Sequence, residues 1–383
     1  MTMKVLFITN HYLDQMLGGP NGSKCFLHAV ASLYPDTTLI YPEHNDHATS
    51  LPFMDECSSL KMIPVVDYRS KLRKLLDVYF GKLHRFGNAV KEHLEHNAYD
   101  MVFIDHSVIA SSGVLEAVVA SGAKIVTIHH NVESKYLSDN MPSVLYRVPY
   151  LHFALEAESK AIVASNLNLT VTEADREHFV SAFPAKADSF HVIGAFEYER
   201  SRTELECSKE EGCRFVISGS MSAMQTETAM LEFLKLYMPL LNEVCPDAEV
   251  LITGRNPSRR IIDAASIYDN IKIVPNPENI MDEVVKGNYY ICPMNTGSGL
   301  KLRCMDALRL GLPVLAHKVS ACGYEEVQRD GLFYSYSSVD DFKEALGKLL
   351  QLHDCHRQVV ESYYSHFSFD AGRERMKKIM SHI

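Results

Sequence analysis

The sequence lacks long apolar runs and an excess of positive charge. Nowhere in its 383 residues do about 18 apolar residues follow one another, so no transmembrane helix is expected. The net charge is −10, and because affinity for a phosphate backbone comes from excess Lys and Arg, general nucleic-acid binding is not expected either. The amino-terminal apolar run has no small-residue cleavage site after it, which argues against a signal peptide.

Clustered metal ligands are also missing. The 18 histidines include no H-E-x-x-H motif, the nine cysteines include no C-x-x-C pair, and no Asp stands two residues from another Asp. These absences predict that the protein holds no metal ion. No cofactor is expected either, because the G-x-G-x-x-G pattern that begins at Gly297 has Leu302 in place of its third glycine. The odd number and scatter of the cysteines favour a reducing cytoplasm over a disulfide framework, and we interpret them as packing residues.

What is present is typical of a folded protein with two domains. Hydrophobic residues make up 46% and charged residues 22% of the chain, close to globular averages. Short β-branched runs alternate with amphipathic stretches, and because the runs are continuous they predict strands buried on both faces of parallel sheets. The predicted strands form two series, 4–9, 37–41, 101–105, 124–129, 167–172 and 190–193, then 214–218, 249–253, 271–274, 289–292, 313–316 and 332–334.

The two series predict an α/β fold with two Rossmann-like parallel-sheet domains that face each other across a cleft. The first domain is expected at 1–196, and the second at 213–360, with the charged segment 197–212 as the linker between them. The tail, 361–383, predicts a helix that packs back on the first domain. Ligands of such sheets bind beyond the carboxyl ends of the strands, so the loops there hold the candidate site residues.

The most informative loop follows the strand at 289–292 and reads PMNTGSGLKLRC. A Gly-Ser-Gly turn opens a helix that ends at Gly311, and the amides at such a helix N-terminus bind phosphate. Lys301 and Arg303 fall in the first turn, where the helix dipole disfavours cations unless an anion is bound. The alternative is that both side chains point to solvent. Asp306, one turn after Arg303, either accepts ribose hydroxyls or is a solvated helical residue.

The segment TGSGLKLRCMDALRLGLPVLAHKVSACGYEEV resembles the donor-binding segment of family 4-type retaining glycosyltransferases, which have the GT-B fold. The preceding stretch, FVISGSMSAMQTETAMLEFLKLYMPLLNEVCPDAEVLITGRNP, resembles the start of the same domain. The resemblance implies a cytoplasmic enzyme of polysaccharide biosynthesis. Such an enzyme would move a sugar from a nucleotide-diphosphate sugar to a glycan or lipid-linked acceptor, with retention of anomeric configuration and without a metal.

By this resemblance, Lys301 and Arg303 stabilise the departing diphosphate. The donor itself would be bound by Gly18, Gly19, Ser220, Gly254, Arg255, Gly297, Ser298, Gly299, Leu300 and Asp306. Two departures matter, since Ser298 replaces the first acid of the family's acid pair, and the family's Arg and Lys after the first strand of this domain are absent. A GT-B-fold nucleotide-sugar epimerase and a non-catalytic nucleotide-sugar-binding protein therefore remain alternatives.

Two loops of the first domain complete the candidate site. The segment KIVTIHHNVESKY places His130 and Glu133 just after a predicted central strand, and the resemblance implies that both are catalytic residues. By that resemblance, His130 hydrogen-bonds the donor sugar or the reacting centre. A lone histidine is otherwise a hydrogen-bonded structural residue. The loop 10–23 ends in a glycine-rich turn before a helix expected near Lys24. Gly18 and Gly19 there either bring backbone amides to a diphosphate or acceptor, or form a surface turn without a function.

The segment 69–91 carries seven Lys or Arg and one acid, with apolar residues at helical spacing. The ordinary interpretation is a helix whose apolar stripe faces the core. The alternative is that this helix makes a weak peripheral contact with anionic lipid, or with a polyprenyl-diphosphate-linked acceptor, at the inner face of the membrane.

Overall fold

The computed structural model describes residues 2–15, 18–43, 49–66, 70–84, 86–140, 144–200, 212–297 and 299–383. The chain forms two compact units. Unit 1 comprises Met1–Arg200 together with Ser368–Ile383, and unit 2 comprises Ser201–Phe367. Most of the predicted linker lies outside the described residues.

Unit 1 is built on a parallel sheet of seven strands. These are β1 (Lys4–Thr9), β2 (Asp36–Glu43), β3 (Lys61–Val66), β4 (Met101–Asp105), β5 (Lys124–His129), β6 (Leu167–Thr170) and β7 (Phe190–Val192). Their order in the sheet is β3-β2-β1-β4-β5-β6-β7. The residues of β1, β4 and β5 are buried almost throughout, as continuous apolar runs in a central parallel sheet require.

In the sequence, the helices of unit 1 stand between these strands, except for the last helix, which follows unit 2. They are α1 (Gly18–Leu33), α2 (Lys71–Tyr79), α3 (Phe86–His96), α4 (Val114–Ala120), α5 (Glu133–Asn140), α6 (Val144–Ala164), α7 (Glu173–Ala182) and, at the end of the chain, α16 (Phe369–Met380). Short 3-10 helices cover Ser107–Ala110 and Pro184–Ser189.

Unit 2 has a parallel sheet of six strands in the order β10-β9-β8-β11-β12-β13. The strands are β8 (Arg214–Ser220), β9 (Glu249–Arg255), β10 (Ile271–Pro275), β11 (Tyr289–Cys292), β12 (Val314–His317) and β13 (Phe333–Tyr336). The helices are α8 (Met224–Glu232), α9 (Met238–Val244), α10 (Arg259–Ala265), α11 (Met281–Val284), α12 (Leu302–Arg309), α13 (Glu325–Arg329), α14 (Val339–Leu349) and α15 (His356–Phe367). A π-helical turn, Phe233–Tyr237, joins α8 to α9.

The sequence predicted every strand except β3. This strand lies at one edge of the sheet, where it pairs with β2. Pro64 stands within it, and because Pro cannot donate a hydrogen bond it is tolerated at an edge. None of its residues is fully buried, so the continuous apolar pattern of the central strands is absent.

The tail forms two helices, and only the second belongs to unit 1. Helix α15 packs on α12 in unit 2, so unit 2 extends to Phe367 and not to the expected boundary at 360. Helix α16 packs on α1. A Cβ added at Gly372 would lie 2.0 Å from the ring of Phe196, which shows how closely the backbone of α16 approaches the rest of unit 1.

The basic segment 69–91 is interrupted, and its first half does not face the core. Helix α2 ends at Tyr79, and Gly81 takes a positive φ of 68° before α3 begins. Leu72, with 67% of its surface exposed, and Leu76, with 47%, contradict the core-facing interpretation for α2. Phe86, at the start of α3, is buried. Among the described residues no helix is both long and apolar enough to cross a membrane.

Candidate active site

Polar side chains gather where β1, β4 and β5 end in unit 1. Chain order reverses between the adjacent strands β1 and β4, and open α/β sheets bind ligands at such switch points. Asp105 is the last residue of β4, and His130 directly follows β5. Together with His11, His106 and Glu133 they form what we call the histidine cluster.

Within the histidine cluster, Asp105 orients His130. The buried Asp105 carboxylate lies with Oδ1 2.7 Å from Nε2 of His130. Burial raises the pKa of this carboxyl, but His130, with smaller contributions from His11 and Ser23, outweighs burial and lowers the pKa of Asp105 to about 2. Because an ionised carboxylate only accepts hydrogen bonds, Nε2 of His130 carries the proton. The other nitrogen, Nδ1, lies beside α1, 3.3 Å from a Cβ added at Gly22.

Within the same cluster, Glu133 pairs with His106. Its Oε1 lies 3.0 Å from Nε2 of His106, and its side chain is only 2% exposed. Burial lowers the pKa of His106, but Glu133, together with Asp105 and Glu158, outweighs burial and the pKa is raised. The amide of Glu133 donates to Oε1 of Glu158, whose pKa is raised to about 8 by burial and by Glu133. Glu133 therefore holds His106, a role that the sequence did not indicate.

Three imidazole rings meet in this cluster. The ring centroids of His11, His106 and His130 are 5.4 to 5.8 Å apart. Nδ1 of His11 lies 2.7 Å from Oγ of Ser23, and burial followed by the two neighbouring histidines lowers the pKa of His11 to about 3. His11, Asp105 and His130 each offer one ligand atom, all within 4.8 Å of one another, so this group has the spacing to hold a metal ion.

His129, although adjacent to His130 in sequence, points away from the cluster. Its Nε2 lies 3.0 Å from Oδ1 of Asn168, and its ring packs near Phe179 and Phe190. Burial lowers its pKa to about 4. The pair of histidines therefore divides into one structural residue and one site residue, as alternation along a strand end requires.

The glycine-rich turn that the sequence predicted before α1 is helical. Helix α1 begins at Gly18 and not near Lys24. A Cβ added at Gly19 would lie 2.8 Å from Nε2 of His11, and one at Gly22 would lie 3.2 Å from Cε1 of His130. These two glycines therefore let imidazole rings approach the backbone of α1, whereas Gly18 stands at the helix N-terminus.

Unit 2 places the predicted cations at its own switch point, between β8 and β11. Lys301 is the N-cap of α12 and Arg303 lies in its first turn. Nη1 of Arg303 donates to the carbonyl of Ser218, 3.1 Å away, in β8. Burial, together with the nearby charge of Arg303, lowers the pKa of Lys301. Both cations therefore lie partly buried, and they do not point freely to solvent.

Glycines allow this close packing. Gly219 has a φ of 148°, and a Cβ there would lie 2.5 Å from Nη1 of Arg303. A Cβ at Gly254, in the neighbouring strand, would lie 1.8 Å from the carbonyl oxygen of Gly219. Gly254 thus permits the two strands to approach, while Gly219 makes room for the guanidinium. Of these two, the sequence had identified only Gly254.

The loop before α12 turns through glycines with positive φ, 94° at Gly297 and 68° at Gly299. A Cβ at Gly297 would lie 3.3 Å from Nζ of Lys301 and 3.4 Å from Oε1 of Gln225. Leu300, the next residue of the predicted loop, is half-buried. Ser298 lies outside the described residues.

The remaining predicted donor residues of unit 2 are in β8, β9 and α12. Ser220 and Arg255 are exposed and face each other in the ladder between β8 and β9. Oδ1 of Asp306 lies 3.5 Å from Nη2 of Arg309, so this carboxylate is held by a partner within its own helix.

Sequence reasoning missed His11, Asp105, His106 and Gln225. The first three could have been found from the expectation that ligands bind beyond the carboxyl ends of the strands, since each lies at or within two residues of a strand end. Asp105 was overlooked because it reads as the final residue of an apolar strand. Gln225 carries no sequence signal, because only the fold brings it to Gly297.

Comparison with known proteins bears on both units. Residues 212–352 match the family described as glycosyl transferases group 1. No curated protein sequence has significant similarity to the chain.

Solved structures resemble the whole chain in fold. HepE from Anabaena, in complex with UDP, has a TM-score of 0.62 at 12% identity, with 100% of each chain covered. A glycosyltransferase from Rickettsia africae ESF-5 has a TM-score of 0.62 at 11% identity, covering 100% of this chain and 98% of its own. The lipopolysaccharide outer core galactosyltransferase WaaB has a TM-score of 0.64 at 12% identity, with 99% of each chain covered. The two parallel-sheet units therefore have the GT-B fold that the sequence predicted.

Proposed function

We propose that this chain, whose residues 212–352 match a glycosyltransferase family, moves a sugar from a nucleotide-diphosphate sugar to a glycan or lipid-linked acceptor. The observation that carries the proposal is the cation pair Lys301 and Arg303, which flanks a glycine loop at the switch point of the unit 2 sheet. The related fold of HepE was solved with UDP, so UDP is the first nucleotide to test.

The cation pair suits the chemistry of glycosyl transfer. As the anomeric C–O bond breaks, negative charge grows on the departing diphosphate. Fixed positive groups therefore stabilise the transition state more than the ground state. Arg303 is held by the carbonyl of Ser218, so its guanidinium needs little rearrangement when the charge appears. Ser220, Gly254, Arg255 and Asp306 remain predicted donor contacts.

A panel of nucleotide diphosphates and their sugar conjugates tests donor binding by thermal shift, because a bound ligand raises apparent stability by mass action. We expect UDP or another nucleoside diphosphate to raise Tm, and Lys301→Gln to reduce the rise. Lys318→Gln, which removes an exposed cation of unit 2 outside the glycine loop, is the matched control. No shift with any nucleotide diphosphate would contradict the proposal.

In unit 1 we assign the reacting centre to His130. Asp105 supports this assignment because it fixes the ring and leaves Nδ1 to meet a sugar hydroxyl. His130→Ala should reduce turnover by at least about 10²-fold, the lower end for a group that assists proton transfer. The exposed His96→Ala on α3 is the control, and a His130 variant with the rate of the unmodified protein would remove this residue from the mechanism.

We propose retention of anomeric configuration by attack on the same face of the sugar. The buried Asp105 carboxylate is engaged with His130, so it is held as an orienting group and not as a nucleophile. NMR of the first-formed product decides this point, since an inverted anomer would contradict it.

We also propose that transfer needs no metal, because Lys301 and Arg303 supply the positive charge. Exhaustive chelation should leave the rate unchanged. A rate lost on chelation and restored by a divalent cation would contradict metal independence and would direct attention to His11, Asp105 and His130.

The two alternative functions make different predictions. A nucleotide-sugar epimerase would convert the donor without any acceptor. A non-catalytic binding protein would bind the nucleotide diphosphate but show neither transfer nor slow hydrolysis of the donor.

We propose that α2 makes a weak peripheral contact with anionic membrane. Leu72, Leu76 and Phe80 recur every four residues and are 67%, 47% and 74% exposed. Exposed Lys71 on the same helix and Lys82 just beyond it provide positive charge near the apolar face. A lipid-linked acceptor would be presented at such a surface. Cytoplasmic location and a place in polysaccharide biosynthesis stay predictions from the sequence.

Sedimentation with anionic liposomes at low salt tests the contact. Leu76→Ser should weaken binding, whereas Ile267→Ser, which removes an equally apolar exposed residue of unit 2, should not. No sedimentation of the unmodified protein would end the proposal.

A further inference from the structure

Two cysteines of unit 2 lie close together although 32 residues separate them. Sγ of Cys213 is 2.6 Å from Sγ of Cys245. Cys213 immediately precedes β8, and Cys245 immediately follows α9. Both residues are half-buried, so each keeps some contact with solvent.

The backbone holds both cysteines in place. The carbonyl of Cys213 accepts from the amide of Glu249 at 3.0 Å, which fixes it beside β9. The amide of Cys245 donates to Leu241 at 2.8 Å, and its carbonyl accepts from Ala248 at 3.1 Å. A disulfide has a sulfur–sulfur distance of about 2.05 Å, so the bond needs an approach of only about 0.6 Å.

We propose that Cys213 and Cys245 are a modification site that forms a reversible disulfide on reaction with a peroxide. The two thiols give up two protons and two electrons as the S–S bond forms. The O–O bond of hydrogen peroxide breaks, and its oxygens leave as two molecules of water. A dithiol reductant returns both cysteines to thiols by exchange.

The crosslink lies away from the proposed donor loops. Cys213 stands at the amino end of β8, whereas Ser218, Gly219 and Arg303 meet at the carboxyl end. Ser218 is five residue steps along β8 from Cys213, which is about 17 Å at about 3.3 Å per step. The disulfide closes a loop containing β8, α8 and α9, so we expect it to stabilise unit 2 without changing nucleotide binding.

The spacing of the cysteines along the chain could not reveal this pair, and the sequence favoured packing roles for all of them. Disulfides in reducing compartments are typically transient and respond to oxidants. Cys322 is also half-buried, but it contacts the carbonyl of Lys318 and provides a matched single thiol.

The test uses the full chain, reduced and then exposed to hydrogen peroxide. After remaining thiols are blocked, peptide mapping by mass spectrometry should find Cys213 joined to Cys245, with two thiols lost per chain. The mapping on unmodified protein does not depend on any variant. Dithiothreitol should restore both thiols.

Stability and variants give the second readout. Oxidised protein should unfold several degrees higher than reduced protein, with the same affinity for UDP. Cys213→Ser and Cys245→Ser should each abolish the rise and the crosslink, whereas Cys322→Ser should keep both. A disulfide between any other cysteines, no loss of thiols, or a loss that dithiothreitol does not reverse would overturn the proposal.

Discussion

Gly219 offers a way to displace Arg303 without changing any charge. Its φ of 148° is one that other residues rarely adopt, and a Cβ there would lie 2.5 Å from Nη1 of Arg303. Ordinary contacts of Cβ atoms begin near 3.4 Å. In Gly219→Ala the guanidinium must therefore retreat by about 1 Å, a displacement that can cost about 10²-fold in rate when it occurs at a reacting group.

The expected effect on binding follows from the same displacement. A hydrogen bond to a charged group contributes about 1.5 to 3 kcal/mol, so losing the contact between Arg303 and a diphosphate should raise the Kd for UDP by about 10- to 150-fold. Calorimetric titration with UDP measures this change. The backbone strain itself costs about 1 to 3 kcal/mol of stability, so unfolding must be followed in parallel.

Two further variants isolate the cause. Gly331→Ala introduces a side chain at another positive φ of unit 2, with only the Tyr334 hydroxyl within 4 Å, and should lower stability without changing the Kd. In an Arg303→Gln background, Gly219→Ala should have almost no additional effect on UDP binding, because the group it displaces is gone. Additive losses in the double variant, or an unchanged Kd in a folded Gly219→Ala protein, would refute the reasoning.

Three other outcomes follow from the charges. Lys301→Gln should raise the Kd for UDP about 10-fold or more in the calorimetric assay, whereas Lys318→Gln should not. Asp105 has a folded-state pKa of about 2, against 3.8 for an ordinary Asp carboxyl, and this difference contributes about 2 kcal/mol of stability at neutral pH. The contribution disappears as pH falls from 4 towards 2. Acid unfolding of Asp105→Asn should therefore show a shallower pH dependence than that of the unmodified protein. The pKa of Glu158 is raised to about 8, so the effect of this residue on stability has the opposite pH dependence. Between pH 4.5 and 8 the carboxyl of Glu158 loses its proton in the unfolded protein but keeps it in the folded protein, so stability falls as pH rises. From pH 6 to 9, the Tm of Glu158→Gln should therefore fall less than that of the unmodified protein. Equal dependence of Tm on pH in the two proteins would contradict this.

The central strands could be predicted because a parallel strand buried on both faces needs a continuous apolar run, and β1, β4 and β5 have one. The edge strand β3 and the orientation of α2 could not. An edge strand needs no such run. Amphipathic spacing predicts a helix but does not indicate whether protein or solvent covers its apolar face. Leu72 and Phe86 occupy one stripe in the sequence but are exposed and buried respectively.

For the candidate site, the rule of strand ends identified His130 and Arg303, which both lie at switch points. The partners of these residues depend on the fold. Asp105 is 25 residues from His130, and Ser218 is 85 residues from Arg303, so no local spacing connects them. Gly19 and Gly254 were found through the conformational freedom of glycine, but what each one admits, an imidazole at Gly19 or the neighbouring strand at Gly254, is set by tertiary packing.

The return of α16 to α1 has a consequence for biosynthesis. Domains near the amino terminus usually complete their folding while the rest of the chain is still being made. Unit 1 includes Ser368–Ile383, so it lacks one of its own helices until the ribosome has added that segment, after all of unit 2. Until then, the surface of α1 that α16 covers is open to solvent. Unit 2 lies between the two parts of unit 1 in the sequence, so all of its residues are synthesised before unit 1 is complete.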